Sequence, residues 1–189
     1  MSLSKSLKLS LLLVAGLLSQ SAIAQDEVAE EQLDAVRNEY KTLSTVISEC
    51  ENKGDCNLFL NELVVNKSGG HWRGMGNYRK TFRFWYSDDP TNCDDCQGVL
   101  RFVQVTERGS TSHTKEEFLF KDGKLLFHFV KSEMEGKKES RRSYFEDERI
   151  FRLQLGEGEV YMYQEALDRL DEGLLKNAKK IQGVFLHSF

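Results

Sequence analysis

Two short strings 25 residues apart, Phe120-Lys121-Asp122-Gly123-Lys124-Leu125 and Phe145-Glu146-Asp147-Glu148-Arg149-Ile150, restrict the fold of this chain more than any other feature. Asp-Gly is the preferred two-residue hairpin turn, because both turn positions need positive φ. A turn at Asp122-Gly123 sets Lys121 against Lys124, Phe120 against Leu125 and Phe118 against Phe127. One face then carries Phe118, Phe120, Leu125, Phe127 and Phe129, and the other pairs Glu117 with His128. The second string repeats this hairpin. Two units predict a meander of hairpins, since a solenoid needs three or more.

Alternation of period two marks the strands around them. Tyr78, Lys80, Phe82, Phe84 and Tyr86 point one way, and Arg79, Thr81, Arg83 and Trp85 the other. A second β-rich run opens after Gly98, and Gly136 to Arg142 reads as a basic turn between the two hairpins. Ile150–Leu155 and Val160–Tyr163 suggest one more strand pair around Gly156–Gly158.

Helical periodicity flanks this block. Leu33, Val36, Tyr40, Leu43, Ile47 and Cys50 form one stripe over residues 26–49, with Gly54 as the turn that ends it. Leu167, Leu170, Leu174, Ala178 and Ile181 form another over Gln164–Ile181, followed by Gly183. The expected class is α+β: a twisted antiparallel meander of about six strands, flanked by an N-terminal and a C-terminal amphipathic helix.

The first 24 residues read as a cleavable signal peptide. Lys5 and Lys8 precede the apolar run Leu9–Leu18, and Ala22-Ile23-Ala24 fits a peptidase site. The run is shorter than the roughly 20 residues that span a bilayer. Residues 25–189 then form a single domain, expected to be periplasmic or secreted, with no transmembrane segment. Loss of the leader leaves 24 basic against 30 acidic residues, which argues against nucleic acid as a partner.

Export gives the four cysteines, Cys50, Cys56, Cys93 and Cys96, an oxidising setting in which disulfides persist. Three pairings are open: a local one, and two that join the first helix to a hairpin tip. Cys93-Asp94-Asp95-Cys96 has the C-x-x-C spacing of a redox centre. Yet no helical pattern follows Cys96, and the two acids raise a thiol pKa. The cysteine and histidine spacings match no zinc site, so no metal or cofactor is expected.

The Gly-rich stretch 69–80 supplies His71, Trp72, Arg73 and Arg79, residues suited to an anion, a sugar or a lipid headgroup. Twelve phenylalanines could also line a groove between sheet and helix. No catalytic constellation emerges. The expectation is an exported, non-enzymatic binding or interaction protein, for a small apolar ligand or a protein partner. The alternative is a thiol–disulfide redox protein using Cys93 and Cys96.

Overall fold

The computed structural model describes residues 5–188 apart from 55, 75, 89–97, 160 and 161, with side chains from residue 29 onward except that of Glu159. The chain divides into two compact units, residues 1–38 and 39–189. Among the described residues the first is the N-terminal part of helix α1 (Lys5–Lys53), where Asp34 pairs with Arg37 at 3.2 Å.

The second unit holds the rest of α1, nine strands among the described residues, and helix α2 (Gln164–Leu186). The strands are β1 (Phe59–Val65), β2 (His71–Trp72), β3 (Gly76–Ser87), β4 (Val99–Gly109), β5 (Ser112–Lys121), β6 (Lys124–Met134), β7 (Lys137–Glu146), β8 (Arg149–Leu155) and β9 (Gly158–Glu159). All pairings are antiparallel, in the order β1-β3-β4-β5-β6-β7-β8-β9, with β2 also paired to β3. The meander is therefore larger than six strands. Residues 59–65 join it as an edge strand, and residues 137–142, expected as a turn, belong to β7. The turn there is Glu135-Gly136, both at positive φ.

Both repeated hairpins form with two-residue turns at positive φ: Asp122 and Gly123 at 50° and 73°, Asp147 and Glu148 at 46° and 62°. Past each turn the register shifts. Phe120 faces Leu125, but Leu119 faces Phe127, so Leu126 is an extra residue. Phe145 faces Ile150, but Tyr144 faces Arg152, so Phe151 is its counterpart. A bulge of this kind reverses the faces beyond it. Phe118 consequently faces His128 rather than Phe127, and Glu117 faces Phe129 rather than His128.

The expected aromatic face is thereby split in two. Phe118, Phe120 and Leu125 join Phe84, Val103, Phe145 and Ile150 in a core closed by Leu174, Ala178, Ile181 and Phe185 of α2. Phe127 lies on the opposite face with Phe102, and the Tyr40 ring packs on both at 5.1 and 6.1 Å. Residues 39–53 of α1 thus cover one face of the sheet and α2 the other. Gly183 does not end α2, which runs on to bury Phe185.

Two polar devices hold α2 in place. The buried Asp171 carboxylate accepts a hydrogen bond from Ile150 N–H at 3.1 Å, and Gln182 Nε2 donates to the Gly123 carbonyl at 2.8 Å. Burial raises the Asp171 carboxyl above the usual carboxylate range, and the Ile150 hydrogen bond opposes that shift. No helix is long and apolar enough to cross a membrane among the described residues.

Candidate functional site

A cleft of about 130 Å³ opens where the second half of α2 crosses β3, β4 and β5. The alternation of β3 delivers Lys80 and Phe82 to this face, β4 adds Val105 and β5 adds Glu116. Helical spacing places Asn177, Lys180, Ile181 and Val184 on the other wall. Phe82, Val105, Ile181 and Val184 make an apolar lining. Lys80 is engaged by Glu107 at 3.0 Å and lies 5.4 Å from the Phe82 ring centre. Lys180, exposed at the mouth, has no ion-pair partner among the described residues.

Behind the cleft lies a polar cluster within the sheet. Glu116 Oε2 accepts from Nε2 of His128 at 3.3 Å. The imidazole is 1% exposed and packs 4.6 Å from the Phe118 ring. This hydrogen bond, reinforced by the charges of Lys80 and Arg141, holds the Glu116 carboxyl below the usual range against the opposing effect of burial. Burial in turn lowers the Arg141 guanidinium. A carboxylate only accepts, so Nε2 carries the proton and Nδ1 has no partner. Ser143, directly across from His128 on β7, is 0% exposed and its Oγ is also unpartnered.

Ser143, His128 and Glu116 are the residue types of an acyl-transfer relay. A nucleophile must reach a substrate carbonyl, and complete burial of Ser143 denies it that access. The cluster instead keeps the back of the cleft polar and charge-satisfied.

The sequence-designated residues have separate fates. Cys50 and Cys56 form a disulfide at the end of α1, with Cα atoms 5.1 Å apart, so neither cross-link to the second pair forms. Cys93 and Cys96 lie outside the described residues, and each has only the other left as an intramolecular partner. Mutating Cys50 to Ser is expected to cost about 2 kcal/mol in the loop-entropy account, read by urea denaturation without reductant. An unchanged midpoint would mean that the cross-link does not restrain the unfolded chain.

His71, Trp72, Arg73 and Arg79 are exposed and do not converge. His71 is in register with Asn77, on the face that Arg79 shares. Trp72 leans edge-on against Tyr78, 6.0 Å away, on the opposite face. Arg73 sits in the turn between β2 and β3. The cleft residues escaped sequence reading because three strands and a helix contribute them. Only the shared face of Lys80 and Phe82 was legible. Which of the adjacent acids Glu116 and Glu117 points toward α2 depends on the register.

No family model, no curated protein and no solved structure matches the chain.

Proposed function

We propose that this chain is an exported, non-enzymatic binding protein whose cleft between α2 and β3–β5 takes a small apolar ligand with an anionic end. The observation that carries the reading is the cleft itself: an apolar lining, a back wall whose carboxylate is already satisfied by His128, and Lys180 free at the mouth. Sites of this kind combine an apolar body with a few orienting polar groups. At about 130 Å³ the space suits a short acyl chain, or the end of a longer one leaving past Val184. The leader-like first 24 residues support export, and the Cys50–Cys56 disulfide fits an oxidising compartment.

Straight-chain carboxylates of about four to ten carbons, titrated by calorimetry and by amide NMR shifts, test this reading. Saturable binding is expected, with shifts centred on β3, β5 and α2. Lys180→Gln should weaken it about three- to tenfold through loss of one charge-assisted contact, and Val184→Trp should abolish it by filling the opening. Binding that does not saturate, or that ignores both substitutions, would remove the proposal.

A further inference from the structure

The face of the sheet that carries α1 residues 39–53 ends in two rows rich in cations. Arg79, Arg108, His113, Glu133 and Lys138 are successive cross-strand partners from β3 to β7. The neighbouring row runs Thr81, Thr106, Lys115, Lys131 and Ser140. Residues two apart share a strand face, so both rows lie on the side of Glu117, which holds Tyr40 of α1. The one acid in the two rows, Glu133, is tied to Lys138 at 3.8 Å.

Like charges stand directly opposite one another at Arg79–Arg108 and at Lys115–Lys131, an arrangement that destabilises a sheet. Lys115 is compensated by Glu117 at 2.6 Å. Arg79, Arg108 and Lys131 are exposed and have no ion-pair partner among the described residues. The overall charge does not explain them, because the chain is formally −4. The other face at the same end is balanced: its row runs Lys80, Glu107, Thr114, Ser132 and Glu139, with Lys80 paired to Glu107. Repulsion concentrated on one exposed face is relieved when an anionic surface meets it.

The shape of the array narrows the partner. Five strands at roughly 4.8 Å spacing spread the cations over about 20 Å, an open surface without a groove to hold a single chain. Large apolar side chains project at this same end of the sheet. Trp72 at the β2–β3 hairpin is 45% exposed, Met134 before the β6–β7 turn 64%, and Leu155 at the end of β8 48%. These three side chains leave the sheet on the face opposite the cations, so an end-on approach to the headgroup layer of a bilayer brings the cations of one face and the apolar tips of the other to the lipid phosphates together. The geometry points to an anionic phospholipid surface as the partner of this end of the sheet. The assignment is independent of the cleft on the other face.

Flotation of the full chain with vesicles tests it, using phosphatidylcholine alone or mixed with about one-third phosphatidylglycerol at low ionic strength. Binding is expected to the mixed vesicles only, and to fall as salt rises. Each surface cation contributes about fivefold, so Arg79→Gln, Arg108→Gln and Lys131→Gln together should cost roughly a hundredfold. Removing the same charge elsewhere, with Lys121→Gln, Lys176→Gln and Lys179→Gln, should leave binding within about twofold, since Lys121 stands at the opposite end of β5 and the other two on α2, away from the array. Met134→Ser should weaken vesicle binding about tenfold without altering binding to a soluble sulfated polysaccharide. No binding to the mixed vesicles, equal binding to neutral ones, or no response to the array triple would overturn the proposal. An inert Met134→Ser combined with tight polysaccharide binding would reassign the array to a soluble polyanion and equally overturn it.

Discussion

Replacing Phe118 with alanine is expected to lower folding stability by about 3–5 kcal/mol, the cost of a large cavity in a packed core. Phe118 is 0% exposed and stands between Val103 and His128 in the central row beneath α2. Its ring lies 6.5 Å from that of Phe120 and 4.6 Å from the imidazole of His128. Alanine would remove the apolar contact and one wall of the His128 pocket, leaving the Glu116–His128 hydrogen bond less confined. Neighbours on two strands and a helix cannot all move inward to refill the space. Urea denaturation reads the loss as a lower midpoint at an unchanged slope. Phe59→Ala, at a 47% exposed position on the edge strand, serves as the comparison and should cost about 1 kcal/mol or less. A Phe118→Ala loss equally small would mean that α2 does not close over this row.

The second large effect belongs to the opposite face. Glu117 is 4% exposed, and its carboxylate accepts from the Tyr40 hydroxyl at 2.6 Å, from Lys115 Nζ at 2.6 Å and from Gln104 Nε2 at 3.4 Å. Burial, followed by the hydrogen bond to Glu117, raises the Tyr40 hydroxyl well above its ordinary value, so it stays protonated and donating. Glu117→Ala strands a lysine, a phenol and an amide around a vacated site and should cost about 3–5 kcal/mol. Tyr40→Phe removes one donor from the buried carboxylate and should cost about 1.5–3 kcal/mol. A double-mutant cycle between the two positions isolates their coupling. Strict additivity would show that Tyr40 is held by Phe102 and Phe127 alone, and that the carboxylate does nothing to fix the α1 segment.

These two positions also show how far the chain can be read unaided. Glu116, Glu117 and Phe118 are consecutive, and alternation alone sends Glu116 and Phe118 to one face and Glu117 to the other. The sequence therefore separates the two environments, but it does not say what each face meets. His128 was expected across from Glu117. The extra residue Leu126 moves it one position and places it beside Glu116. The same shift brings Phe127 under Tyr40 instead of under α2. The charges of residues 137–142 resemble those of a turn, whereas cross-strand pairing with β6 makes the run part of β7. In the sequence Arg79 reads as a cation of the Gly-rich stretch 69–80. Its neighbour Arg108 comes from another strand, and only their pairing reveals the array.

Local chemistry alone determined the two repeated hairpin turns, the apolar stripes of both helices, and the antiparallel meander that short turns enforce. Each depends on residues within a few positions of one another, where φ preference and side-chain period act directly. The faces of the aromatic residues, the cleft under α2 and the cationic end of the sheet were decided by tertiary structure. A bulge shifts register by one residue, and whether that shift is favourable depends on both layers packed against the sheet. Here α1 residues 39–53 need Phe102 and Phe127 on one side, and α2 needs Phe118 and Phe120 on the other. That requirement couples residues as far apart in the chain as Tyr40 and Phe127, a separation no local pattern spans.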